Sequence, residues 1–242
     1  MDPQQVQAVL DDWQSAPIPE RLRAGLGLAE ALTRRPGEPP HEALSRCEAA
    51  GLEQRAIEDL ASLAFHFNFI NRVADAFDFP MPTDAQRKRL AAVLDRVTSQ
   101  IRSAPPQSPW AEGPDGILRP VELDQARTHM LECEAVTSPA MRRSAEAHTA
   151  RALGAGRDAP PVSGPPSLGP YLDKLSRHAY RIVDEDVEAL QAAGLTEEAI
   201  FEVTVAGAMG AALVGVESLV PLLESNRSKV SASAADPART MR

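Results

Sequence analysis

The stretch "HEALSRCEAAGLEQRAIEDL" (residues 41–60) holds a short amphipathic run, a glycine stop and the start of a longer apolar run. On both sides of Ala-Ala-Gly-Leu the apolar residues fall three and four apart, the period of a helix. Gly51 stands where a helix ends in a left-handed residue, a conformation that glycine adopts without strain. The pattern recurs without gaps in "DEDVEALQAAGLTEEAIFEV" (184–203), where Gly194 is the stop. Two such helix pairs predict an all-α fold of two similar helical halves, packed about a pseudo-twofold axis, with no β-sheet core.

Composition points the same way. A chain of 242 residues is long enough for one large domain or two small ones. Its hydrophobic content of 43% is ordinary, while 4% aromatic is low and favours close-packed helices over a β-sandwich. A net charge of −9 offers no dominant basic surface, so neither nucleic acid nor an anionic membrane is an expected partner. The opening "MDPQQVQAVLDDWQ" is acidic and amphipathic and does not read as a secretory signal. The longest apolar run, "VTVAGAMGAALVGV" (203–216), is shorter than the roughly 20 residues a spanning helix needs and reads as a buried helix. Cys47 and Cys133 make no disulfide framework, and a cytoplasmic location is the expectation.

Helical periodicity predicts helices over 3–14, 19–35, 41–50, 53–78, 83–102, 120–133, 139–153, 168–182, 185–193 and 197–224, with no strand or hairpin signal. Thr83 with Gln86 forms a capping box, Ser138 precedes Pro139 as an N-cap, and Asp184 reads as another N-cap. Thr196 stands before two glutamates that suit a positive helix end. The expected order is an N-terminal helical half (1–102), a Pro/Gly-rich linker (103–119), a helical connector (120–153), a second linker (154–167), a C-terminal half (168–224) and a mobile polar tail (225–242).

The segment "AFHFNFINRVADAFDFP" (64–80) carries five of the six phenylalanines. With Asp59 at zero on a helical wheel, Asn71, Asp75, Asn68 and Arg72 fall at about 120°, 160°, 180° and 220°, one polar stripe. Val73, His66, Phe77, Ile70 and Ala74 crowd around zero, so the wheel assigns them to the core and the stripe to solvent or a ligand. His66 in that apolar arc reads either as a core histidine bonded to a neighbour or as a base inside a cleft. His178, in "RHAY", is a second candidate for the cleft. Ala206, Gly207, Gly210, Ala211 and Gly215 allow close backbone approach, in a central helix or at a subunit interface.

"FNFINRVADAFDF" (67–79), following "AAGLEQRAIEDL", resembles the FNxxNRxADAxG segment of the carboxymuconolactone decarboxylase / alkylhydroperoxidase-D-like superfamily, in particular its peroxidase-related branch. Residues 177–213 resemble the helix pair of the same branch. The resemblance implies an all-helical fold that assembles as a homo-oligomer. Redox members use Cys-x-x-Cys with a histidine four residues later and an upstream glutamate, but this chain has no CxxC. Met141, Ser144 and His148 occupy that spacing, and His129 stands where the glutamate would fall. Methionine and serine cannot support a thiolate–disulfide cycle. Glu132 and Glu134 disfavour a thiolate at Cys133, and Cys47 reads as a small core residue.

No GxGxxG, P-loop, GxSxG or HExxH motif occurs, and the five histidines lack metal-ligand spacing, so no cofactor or metal is expected. The functional expectation is a small-molecule ligand handled by acid–base chemistry. In it His66 and His178 are catalytic, and Asn68, Asn71, Arg72 and Asp75 bind substrate. The alternatives are a non-catalytic oligomeric scaffold that associates through 203–216, and a residual peroxidase using one cysteine.

Overall fold

Helix boundaries fall where the sequence places its start and stop chemistry. The computed structural model describes residues 3–80, 82–83, 85–87, 89–91, 110–112, 118–156 and 160–235. In chain order these form α1 (Pro3–Asp12), α2 (Glu20–Arg34), α3 (His41–Ala49), α4 (Gln54–Ala76), β1 (Trp110–Glu112) and β2 (Leu118–Pro120). There follow α5 (Val121–Glu132), α6 (Pro139–Ala152), α7 (Leu168–His178), a 3-10 turn (Ala179–Arg181), α8 (Asp184–Ala192) and α9 (Glu197–Ala235). The fold is all-α, with no sheet at its core. The described residues 85–87 and 89–91 are helical, and the rest of the helix expected over 83–102 lies outside the described residues.

Gly51 and Gly194 adopt φ of 75° and 96° and close α3 and α8 with the same two bonds. Leu52 N donates to Cys47 O at 2.9 Å and Gly51 N to Glu48 O at 2.9 Å. In the second pair Leu195 N donates to Leu190 O at 3.1 Å and Gly194 N to Gln191 O at 2.9 Å. These are Schellman stops, which satisfy carbonyls that a helix end leaves unpaired. Ser138 caps α6 by accepting Met141 N at 3.2 Å, and Thr196 caps α9 by accepting Ala199 N at 3.2 Å. Thr83 and Gln86 form the reciprocal box, Thr83 N donating to the Gln86 amide oxygen at 2.7 Å. At α8 the cap is Val183 and not Asp184. Asp186 accepts Val183 N at 3.0 Å, and Lys174 Nζ at 2.6 Å holds that carboxylate in place.

Two expectations about loops are overturned. The linker 103–119 contains β1, which pairs antiparallel with β2, Trp110 opposite Pro120 and Glu112 opposite Leu118. Strands of three residues are too short to display alternation. Helix α9 also does not stop at residue 224. It passes Pro221 and continues to Ala235, through serines, alanines and a lysine that contain no breaker. The Asn226 amide bonds the Glu48 carboxylate of α3 at the start of that extension.

Helix α9 is the axis of the molecule. Its first turns share a core with α7 and α8 around Leu172, Leu175, Leu190, Ile200 and Val203. Its later turns share another with α2, α3 and α4 around Leu28, Cys47, Ala61, Met209 and Leu219. Each fully buried leucine here stabilises the fold by roughly 1.5–3 kcal/mol. Close approach makes both cores possible. A Cβ at Gly210 would lie 2.1 Å from the Glu146 carbonyl oxygen of α6, and one at Gly215 2.7 Å from the Leu32 oxygen of α2. Thr149 of α6 donates to Gly207 O at 2.7 Å. The segment expected as a connector is therefore the tightest neighbour of the central helix. Between 203 and 216 every residue but Val205 is buried. That run is thus an internal axis and offers no self-association surface. By length and composition α9 could cross a bilayer, its most apolar window having mean hydropathy 1.9, but 83% of that window is buried by its neighbours.

Replacing Gly210 by alanine forces α6 and α9 apart and is expected to cost about 3 kcal/mol, lowering Tm by about 6–12 °C. Gly169→Ala, where a Cβ meets nothing within 4 Å, is expected to be neutral or to stabilise by up to about 1 kcal/mol. Thermal denaturation of both variants checks the contrast.

Candidate functional site

Helix α4 is rotated relative to the expectation from its wheel. Its buried face is Ile57, Glu58, Ala61, Ala64, Phe65, Val73 and Ala76, and the small residues let α4 settle against α9. Asn68 and Arg72 lie on that face and are half-buried. Asn68 Nδ2 donates to Thr33 Oγ1 of α2 at 3.0 Å and to Ala64 O at 2.9 Å. Arg72 Nη1 donates to Asn68 O at 2.7 Å, while Nε and Nη2 reach Ser176 O at 3.3 and 3.2 Å. A cation on the last carbonyls of α7 matches the negative end of that helix. Burial pulls the Arg72 guanidinium below its ordinary value, and Asp75 opposes the shift. These two side chains join α4 to α2 and α7.

The opposite face of α4 is open. Leu63, Phe67 and Ile70 are 53%, 58% and 57% exposed. His66, Asn71 and Asp75 are exposed beside them. His66 is therefore not in the core. Its Nδ1 lies 2.6 Å from Ser62 O, one turn back, and its ring meets Phe65 edge-on at 5.2 Å. His178 is also exposed and stands edge-on to Tyr180 at 6.0 Å. His66 and Arg72 point about 120° apart around α4. The six expected site residues thus do not converge: Asn68 and Arg72 are tied inward, while His66, Asn71, Asp75 and His178 are on the outer surface. The wheel missed this because it counts polarity and not partners. Thr33 and Ser176 O, distant in sequence, decide which polar groups turn inward.

The frame Met141–Ser144–His148 lies on α6. Ser144 is buried, donates to Met141 O at 2.8 Å and accepts Ser163 N at 2.9 Å, so its hydroxyl is occupied. His148 Nε2 pairs with Asp173 Oδ1 of α7 at 2.9 Å, and its buried Nδ1 has no partner among the described residues. His129 is exposed on α5. Cys47 donates to Ala24 O at 3.4 Å, and burial, with Glu48 nearby, pushes its thiol up to about 11. Such a thiol is protonated near neutrality and is a poor nucleophile. Among the described residues no three His, Cys, Asp or Glu side chains stand together to hold a metal ion.

Two ion pairs with a buried α6 member brace that helix. Arg142 is fully buried and donates to Leu131 O, Cys133 O and Thr137 O, with Glu202 of α9 3.7 Å away. Glu202 in turn accepts Val136 N at 2.9 Å and Thr137 N at 2.7 Å. Arg127 of α5 forks onto the buried Glu146, Nη2 at 3.1 Å.

A groove of ≈ 740 Å³ lies along α2, α3 and the turn after α1, lined by Trp13, Arg23, Arg34, His41 and Arg46 among others. Its arginines pair with glutamates of their own segment, Arg46 with Glu42 and Arg34 with Glu30 at 2.9 Å. No local motif marks this groove, whose walls come from α2, α3 and the turns that precede them.

Against known protein families, curated proteins and solved structures, the chain has no match. The resemblance of residues 67–79 and 177–213 therefore rests on those residues alone.

The pair at α6 carries a pH signature. Burial by itself raises the Glu202 carboxyl, but the Thr137 hydroxyl, the Thr137 and Val136 amides and Arg142 outweigh it and hold the group below its ordinary 4.5. A depressed folded value means stability that is complete above about 4.5 and is lost as pH falls through the folded value. Glu202→Gln is expected to lower Tm at neutral pH and to flatten the acid limb of the Tm–pH curve. Scanning calorimetry of variant and wild type across that limb checks both effects.

Proposed function

We propose that the chain is a non-catalytic helical scaffold whose working surface is the outer face of α4. One observation carries this reading. Three large apolar residues one turn apart face solvent on a helix whose Asn68 and Arg72 face protein. Scattered exposed apolar residues are normal, whereas a contiguous stripe marks a surface made for contact. Phe77, Phe79 and Phe201 extend it at the end of α4, with ring centroids 6.1 and 5.6 Å from Phe77.

Fluorescence-detected sedimentation of the tagged chain in native extract tests the scaffold. Wild type is expected to sediment faster than a single chain, and Leu63→Ser/Phe67→Ser/Ile70→Ser as a single chain. The triple variant should keep its helical circular dichroism and lose less than about 5 °C in Tm, since surface substitutions cost little. Wild type sedimenting alone, or a triple variant that unfolds, overturns the reading.

A second reading keeps the small-molecule ligand but moves it from α4 to the groove along α2 and α3. Its volume is in the range of ligand sites, and Trp13 and Arg46 offer stacking and charge. Benzoate is expected to quench Trp13 fluorescence saturably in a Trp110→Phe background, and Arg46→Ala to abolish the quench. A linear, unsaturable response ends this reading.

A further inference from the structure

Resting on the scaffold reading, we infer that the occupant of the α4 face is a second copy of this chain, packed antiparallel across a twofold axis between His66 and Phe67. The outer positions Asp59, Leu63, His66, Ile70 and Phe77 recur at steps of four, three, four and seven. That is the spacing of a two-helix seam, with Phe67 on its flank. A twofold contact must be complementary to itself. An axis between 66 and 67 sets Leu63 on Ile70 of the second copy, apolar on apolar, with His66 against its Phe67 and Asp59 against its Ala74.

Charge selects the direction. Arg55, at the start of α4, is partly exposed and paired with Asp59 at 3.2 Å. In the antiparallel register Arg55 faces Asp78 of the second copy, which is exposed just beyond the end of α4. A parallel pair would instead oppose Arg55 to Arg55 and Asp59 to Asp59, the like-charge arrangement that specificity works against.

The area suffices. Leu63, Phe67, Ile70, Phe79 and Phe201 are each about half exposed. At roughly 100 Å² apiece they offer about 500 Å² of apolar surface per copy. With His66 beside the axis and Asn71, Ala74 and Phe77 around it, a twofold pair buries about 1,200–1,600 Å² in total, the range of stable protein interfaces.

Two experiments on the purified full chain test the inference. Sedimentation equilibrium between micromolar and 100 micromolar is expected to give twice the 26.0 kDa chain mass. Phe67→Glu/Ile70→Glu should weaken association at least tenfold while leaving the circular dichroism unchanged. In a Cys133→Ser background, Leu63→Cys/Ile70→Cys should form cross-linked dimers under mild oxidation, and Leu63→Cys alone should not. In the antiparallel register the two Leu63 positions lie about 10 Å apart along the axis, beyond disulfide reach. A chain monomeric at every concentration, or Leu63→Cys cross-linking as readily as the double variant, overturns the inference. If the pure chain is monomeric but sediments as a larger species in extract, the second copy is excluded and the scaffold reading stands. If it is monomeric in both, both fall.

Discussion

The constraint on which this fold depends is the approach of α6 and α2 to the backbone of α9. At Gly210 and Gly215 the space a Cβ would fill is occupied by main-chain carbonyl oxygens, those of Glu146 and Leu32. Glycine in a helix interior costs up to about 1 kcal/mol, and here contact over two cores offsets that cost. With α9 placed, the remaining helices have few choices. Helices α7 and α8 close over its first turns, and α2, α3 and α4 over its later ones.

Polar residues inside this arrangement brace helices instead of forming a pocket. Arg142 satisfies carbonyls at the turn between α5 and α6, and Glu202 satisfies the amides of that turn. Tyr171 donates or accepts at Thr204 Oγ1 over 2.7 Å, with burial pushing its phenol up to about 12. Asn68 and Arg72 play the same part between α4, α2 and α7. With these groups spent on carbonyls and hydroxyls, the apolar stripe of α4 stays open to outside contact. The proposed function follows from that division of labour.

Much of the fold was legible because helix starts and stops are local. Gly51, Gly194, Ser138 and Thr196 act within five residues of themselves, and the structure uses each as its type dictates. The candidate site was legible only as a list of polar residues. His66 fell among apolar neighbours on the wheel, yet stands in solvent with Leu63 and Ile70. Periodicity separates two faces of a helix without saying which is covered. On α4 the covered face is chosen by alanines that fit against α9, and these outweigh the exposure of three large apolar side chains.

The amino-acid order by itself determined that the chain is helical, where most helices begin and end, and that Cys47 belongs inside, because these depend on propensity, capping and nearest-neighbour burial. Tertiary structure alone decided which side of α4 meets solvent and that 139–152 is the closest companion of the central helix. Those outcomes rest on contacts between residues dozens of positions apart, such as Asn68 with Thr33 and Thr149 with Gly207, and no local pattern encodes them.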